Sequence, residues 1–157
     1  MAFSQHRNIV LPIGKGLQGA PDFFKVLLEN NRQLIFVKDK HSRILYANNA
    51  FLKLYAPDQR ESIIGAPSAE NFSEEDAAVF LAEDRKALAI GYSEILEEIT
   101  DYEGKAYYFQ TQKIRFYDEK NEPCILGIGT DVGRLAEREK QLAKSNLALD
   151  NFAIVAA

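Results

Sequence analysis

The alternation of apolar and polar positions divides the chain into short segments of two different periods. "QLIFVK" and "RILYAN" are rich in β-branched and aromatic residues, and the polar "DKHS" between them forms turns, so the pair predicts a β-hairpin. "SEILEEIT", "AYYFQTQKIRFY" and "CILGIGTDV" predict three further strands, separated by the turn sequences "DYEGK" and "DEKNEP". Helical spacing appears first in "PDFFKVLLENN". There Pro21 suits a first turn, Asp22 complements the helix dipole, and Phe23, Phe24, Val26, Leu27 and Leu28 form an apolar face. "AFLKLYA" is a short helix with Asn48 or Asn49 as its cap, and Pro57 stops it. "SEEDAAVFLAEDRKALAIG" opens on a near capping box, Ser73 to Asp76, and closes on Gly91. It repeats Val79, Phe80, Ala87, Leu88 and Ile90 at helical spacing. From Arg134 onward Gly and Pro vanish, which predicts a final helix of about 22 residues, roughly 33 Å long.

This order predicts an α+β domain: a five-stranded antiparallel sheet with short helices on one face, an N-terminal helix before it and a long helix after it. The expected organisation is a flexible arm over 1–20, a helix over 21–32, the domain over 33–133 and a coiled-coil signalling helix over 134–157.

Composition narrows the function classes. Apolar residues at 46% and charged residues at 27% of 157 positions exclude a disordered chain. A dispersed net charge of −4 argues against nucleic acid as a partner, because phosphate binding needs a basic face. No apolar run is long enough to span a bilayer, and the N-terminus does not read as a secretion signal. One cysteine, Cys124, permits no intrachain disulfide and suits a cytoplasmic location; it reads as a small buried hydrophobe. Two histidines and one cysteine, far apart, are too few for a zinc site. His41 reads as a solvated turn residue. Glu97, Glu98, Asp101 and Glu103 read as a solvated strand end rather than an acid–base or metal cluster. Gly14, Gly16 and Gly19 lack the Lys-Ser/Thr pair of a phosphate loop. No catalytic constellation emerges, so the chain is not expected to be an enzyme.

The run "LIFVKDKHSRILYANNAFLKLY", the "IIG" after it, "EEDAAVFLAEDRKALAIG" and "YEGKAYYFQTQKIRFYDEKNEPCILGIGTDV" together resemble the PAS sensory domain, in its ligand-binding branch, over residues 30–133. The resemblance implies a ligand pocket between the sheet and the middle helices. Strand alternation puts Tyr107, Phe109, Thr111 and Lys113 on one face of the long strand. The resemblance makes that face line the pocket, with Tyr107, Phe109, Thr111, Phe36, Tyr46, Phe51, Leu54, Phe80 and Ile125 as candidates; plain core is the default reading of the same residues. Lys113 and Arg115 are expected to be solvated at the strand edge. The cofactor is unknown. The long middle helix carries no His, so haem held from it is not expected, and "APSAENFSEED" carries no Cys, so covalent flavin photochemistry is not expected. Where the family pattern ends in Asp-Ile-Thr this chain has Asp131, Val132 and Gly133, which makes Asp131 and Gly133 the expected signal junction.

Leu135, Leu142 and Leu149 recur every seven residues, with Phe152 three further on. That spacing is a dimer seam, or else an amphipathic face folded back on the sheet. The ending "SNLALDNFAIVAA" resembles the approach to the dimerisation helix of sensor histidine kinases, just before the phospho-accepting His. The resemblance implies a homodimeric sensor in a two-component system. It would bind a small molecule or partner and relay the signal to a kinase core, with neither nucleic acid nor a membrane span involved. A ligand-free interaction module and the sensor of a cyclic-dinucleotide cyclase are the alternatives.

Overall fold

The computed structural model describes residues 10–11, 22–67 and 74–156. Its elements run in the expected order: α1 (Asp22–Glu29), β2 (Leu34–Lys38), β3 (Ile44–Ala47), α2 (Asn49–Leu52), α3 (Arg60–Ile63), α4 (Glu74–Ile90), β4 (Tyr92–Thr100), β5 (Ala106–Asp118), β6 (Pro123–Asp131) and α5 (Gly133–Ala156). The five strands β2 to β6 form an antiparallel sheet in the order β3–β2–β6–β5–β4. Within the stretch read as an arm, Val10–Leu11 forms a two-residue strand, β1, parallel to β5 at Tyr117 and Asp118; the rest of 1–20 lies outside the described residues. So does Ser73, the expected start of the capping box.

One device closes all three hairpins. Asp39, Asp101 and Asp118 each accept, on Oδ1, the backbone N–H groups two and four residues later, at 2.8–2.9 Å. The fourth residue of each turn, Ser42, Gly104 or Asn121, has φ between 59° and 85°, the left-handed geometry of a three-residue hairpin with a bulge.

Asn48 joins the elements under the sheet. It is fully buried, and its Oδ1 accepts from Ile35 N–H at 3.0 Å and from Phe51 N–H at 3.1 Å, which caps α2. Its amide donates to the carbonyls of Leu28 and Gln33 at 3.1 and 2.9 Å. One side chain thus ties β2, α2 and the end of α1 together.

The two sheet faces differ. Leu34, Phe36, Ile44, Ala47, Phe51, Ile63 and Phe109 form the core beneath the helices. The opposite face carries a smaller cluster of Val37, Phe116 and Cys124, joined by Tyr46 and Leu126. Burial pushes the Cys124 thiol up to about 11, which disfavours the thiolate and leaves it a packing residue. Among the described residues, no helix is long and apolar enough to cross a membrane.

Replacing Asn48 with Ala leaves two buried N–H groups and two carbonyls without this partner and is expected to lower stability by about 3 kcal/mol in urea unfolding.

Candidate functional site

Helix α4 is charged on nearly every side, and its expected apolar residues Val79 and Ile90 are exposed. What it buries is Ala87 and, one turn earlier, Asp84, both at 0% exposure. Asp84 meets two ammonium groups from the sheet. Lys113 Nζ on β5 donates to Oδ1 at 2.7 Å, and Lys38 Nζ on β2 donates to Oδ2 at 3.0 Å. Lys113, at 1% exposure, also reaches the Phe80 carbonyl at 3.4 Å. The expected solvation of Lys113 is therefore corrected: it shares the inward face of β5 with Phe109 and Thr111, and its charge is met by Asp84. Arg115, two residues on, is not free either. It caps the end of α4 by donating to the Leu88 and Ala89 carbonyls at 2.7 and 3.2 Å.

Burial works against the charge on Asp84, but Lys38 and Lys113 outweigh it and hold the carboxyl below the usual range. Burial lowers Lys38, with Asp84 opposing that shift. Two cations therefore stand against one carboxylate in a desolvated site.

The second acidic group is Glu97 on β4, which also does not sit at a solvated strand end. Its Oε1 accepts from Thr111 Oγ1 at 2.6 Å, while Oε2 is buried with no hydrogen-bond partner among the described residues. Burial pushes its carboxyl above the usual range; Thr111, Lys113 and Lys38 oppose this only in part. The remaining acids of that stretch behave as a turn: Asp101 is taken up by backbone N–H groups, and Glu98 and Glu103 are exposed.

Between this cluster and the short helices lies a cavity of about 240 Å³. Phe36, Phe51, Leu54, Tyr55 and Ile99 supply its apolar wall, and Lys38, Glu97 and Lys113 its polar end; Phe80 of α4 also borders it. The space exists partly because β6 is narrow here. A Cβ on Gly127 would lie 2.1 Å from Cζ of Phe36, so only glycine lets that ring lie across the strand.

Of the sequence candidates, Phe36, Phe51, Leu54 and Phe80 border this cavity. Tyr107 and Phe109 lie on the same sheet face but line a neighbouring depression with Asp131. Thr111 and Ile125 are fully buried on that face, Thr111 bonded to Glu97. Tyr46 is corrected. Its register partner is Val37, which turns it to the opposite face, where its hydroxyl donates to Glu29 at 3.2 Å. Lys38, Asp84, Tyr55 and Ile99 were not picked out from the sequence, and Glu97 was weighed there only as part of a solvated acidic cluster. Among the described residues no group of His, Cys, Asp and Glu is placed to hold a metal ion.

At the outgoing junction Asp131 Oδ1 accepts from Gly133 N–H at 2.9 Å, and Val132 N–H donates to Tyr108 O at 2.9 Å. Helix α5 then leaves the sheet. Leu135, Leu142, Leu149 and Phe152 are 59%, 63%, 66% and 73% exposed, so the helix does not fold back on its own domain.

Because the native state holds the Glu97 proton more tightly than the unfolded chain does, stability is greatest below the ordinary value of 4.5 and falls as pH rises through the raised native value. Glu97→Gln removes that slope. Urea unfolding of both proteins between pH 4.5 and pH 9 should show the variant gaining on the wild type as pH rises, then a constant difference; a pH-independent difference would contradict the assignment.

The family model described as "PAS fold" matches residues 28–137. No curated protein matches the chain. Among solved structures, VqmA of Vibrio cholerae in a ligand–DNA complex is 22% identical with a TM-score of 0.61, over 71% of this chain and 50% of that one. VqmA bound to DPO is 22% identical with a TM-score of 0.62, over 75% of this chain and 60% of that one. A PAS domain from a two-component sensor histidine kinase is 14% identical with a TM-score of 0.54, over 70% of this chain and 94% of that one. The chain thus spans only half to three fifths of the VqmA chains it matches. At these identities the likeness is one of fold. It nonetheless corrects the expected partners, which set nucleic acid aside in favour of a kinase core, since VqmA carries this fold in a complex with DNA. The match over residues 28–137, with the sheet order and helices described above, shows that the chain belongs to the PAS fold family.

Proposed function

We propose that this chain is a sensory domain that binds a small molecule in the cavity under α4 and passes the resulting change along α5. The observation that carries the reading is the cavity itself: an apolar wall that ends on Lys38, Lys113 and a buried Glu97 oxygen without a partner. Buried polar groups are normally satisfied, and a convergent set left open inside a cavity suits a ligand. VqmA, bound to DPO, supports the reading by analogy of fold.

The relay is a dimeric helix. The exposed seam of Leu135, Leu142 and Leu149 supports it, since each leucine buried between two chains contributes about 1.5–3 kcal/mol. VqmA is likewise a dimer. A ligand biases such a relay only through unequal affinity for its two arrangements. Two classes of output fit. The resemblance of "SNLALDNFAIVAA" to the kinase dimerisation helix supports a histidine kinase, as does the two-component PAS neighbour. The VqmA–DNA complex supports a nucleic-acid-binding output. The single, buried Cys124 suits a cytoplasmic setting.

Native mass spectrometry of the protein purified from its own host should reveal a bound small molecule. Gly127→Ala, which drives the Phe36 ring out of its place across β6, should lose that molecule and cost about 1–3 kcal/mol of stability. A wild-type protein that carries nothing, with a Gly127→Ala variant that signals normally, would rule out ligand sensing. Sedimentation at tens of micromolar should show paired chains, and Leu142→Glu should shift them to single chains; unpaired wild-type chains would rule out the dimeric relay.

A further inference from the structure

We infer that the cavity takes a small monocarboxylic acid with an apolar body, its carboxylate seated between Lys38 and Glu97. The inference rests on the sensory reading above and specifies the chemistry of its ligand.

Count the polar groups that reach the cavity. Both Asp84 oxygens are taken, one by each lysine. A lysine ammonium has three N–H donors. Among the described residues Lys38 uses one, on Asp84, and its Nζ otherwise stands 5.2 Å from the centroid of the Phe36 ring. Lys38 therefore keeps donors to give, at a side-chain exposure of 6% where water competes poorly. Glu97 already accepts from Thr111 on Oε1, and its buried Oε2 is open. The groups around Glu97 are Lys38 on β2, Asp84 on α4, and Thr111 and Lys113 on β5. Tyr55 and Asp101 border the same cavity, the latter committed to its turn. Burial favours the neutral acid, and a ligand carboxylate set beside it favours that form further, so in the complex Oε2 takes up a proton and donates.

The polar end is then donor-rich, with two ammonium charges against one carboxylate. It lacks an acceptor and one negative charge. A ligand carboxylate supplies both: one oxygen takes Lys38 N–H, the other takes Glu97 O–H in a short charge-assisted bond. Any cation would face two ammonium groups. A phosphate dianion would leave one charge uncompensated in a desolvated site, which is strongly unfavourable. Leu34, Phe36, Phe51, Leu54, Phe80 and Ile99 form the apolar wall, which asks for an apolar body, and Gln59, Thr100 and Tyr102 also border the space. At about 240 Å³ the space lies below the range of roughly 300–1,000 Å³ that drug-sized ligands use, which limits that body to a single ring or a short branched chain.

The test uses the full chain and three probes, benzoate, phenylacetate and isovalerate, each beside its neutral amide and its amine analogue. Calorimetry and thermal shift should show at least one acid binding ten times or more tighter than its amide, with no binding by the amines. Near neutral pH the acids should bind with net proton uptake, read from calorimetry in buffers of different ionisation heat. Lys38→Met should weaken the acid at least tenfold while remaining folded, because Asp84 keeps Lys113. Glu97→Gln should retain affinity, since its amide donates where the acid O–H did, and should abolish the proton uptake. If amides or amines bind as well as acids, or if Glu97→Gln abolishes binding and Lys38→Met does not, the carboxylate assignment is overturned while the cavity stands as a sensor site. If no probe of any charge binds and the host-purified protein carries no small molecule, both readings fall.

Discussion

The arrangement of this domain depends on one carboxylate. Asp84 binds Lys38 and Lys113, which come from strands that are not neighbours: β2 and β5 lie on either side of β6. A single ion pair would fix α4 to one strand. Two, one on each oxygen, fix its position across three strands and its rotation as well. Apolar packing does little of this, because α4 buries only Ala87 completely beside Asp84. Removing one member of a buried charge group typically costs 3–5 kcal/mol, so the helix is held firmly, though by a point contact and not by a continuous apolar seam. A helix fixed by a polar point contact leaves space beside it, and the cavity occupies that space.

The sheet contributes to the same space by omission. Gly127 faces Phe36 on one side and Lys113 on the other. The Phe36 ring lies over the glycine, which a methyl group there would prevent. Gly129 does the same more loosely for Leu34, whose side-chain atoms lie 3.2 Å from where its Cβ would be. Small residues on the central strand allow large ones on β2 to lie flat, and the volume above them remains open.

Much of the fold was legible from local chemistry. The three Asp-started turns identify themselves in "DKHSR", "DYEGK" and "DEKNE", and the alternation in "AYYFQTQKIRFY" put Phe109, Thr111 and Lys113 on one face, as they are. The polar end of the site was not legible. Asp84 sits in "EEDAAVFLAEDRKA" together with Glu74 and Glu75, which are exposed, and Glu83, which is half-buried, and nothing in a single sequence singles out the fully buried one. Lys38 closes β2, where a charge is ordinarily solvated, and Glu97 stands within β4 next to the exposed Glu98. A signal was present all the same. Lys113 shares the inward face with Phe109 and Thr111, and an inward lysine demands an acid from whatever covers the sheet. Of the helices expected on the sheet face, α4 was the longest. Tyr46 was placed by resemblance alone: β3 pairs Ala47 with Phe36 and Tyr46 with Val37, so Tyr46 shares the face of Val37 and not that of Phe36.

In the proposed reading one strand serves both the cavity and the outgoing helix. β5 holds Thr111 and Lys113 at the polar end of the cavity, and through Tyr108 O it anchors Val132 N–H at the start of α5. Three residues separate Tyr108 from Thr111, a rise of about 10 Å along one strand. Asp131, which caps α5 through Gly133, is itself paired with Phe109 of β5. On that reading, a ligand that draws Lys38 and Glu97 together would change the load on Thr111 and Lys113 of the strand that also holds Val132. Gly133 then acts as more than a tolerated gap. A Cβ at that position would meet Asp131 Oδ1 at 3.2 Å, so the cap is tight although the residue carries no side chain. Among the described residues the start of the helix is therefore tied to β5 by the Val132 N–H to Tyr108 O hydrogen bond, while the Asp131–Gly133 bond caps it from within its own segment. Such a joint lets α5 follow the strand by rotating about its first turn while the domain it leaves stays rigid.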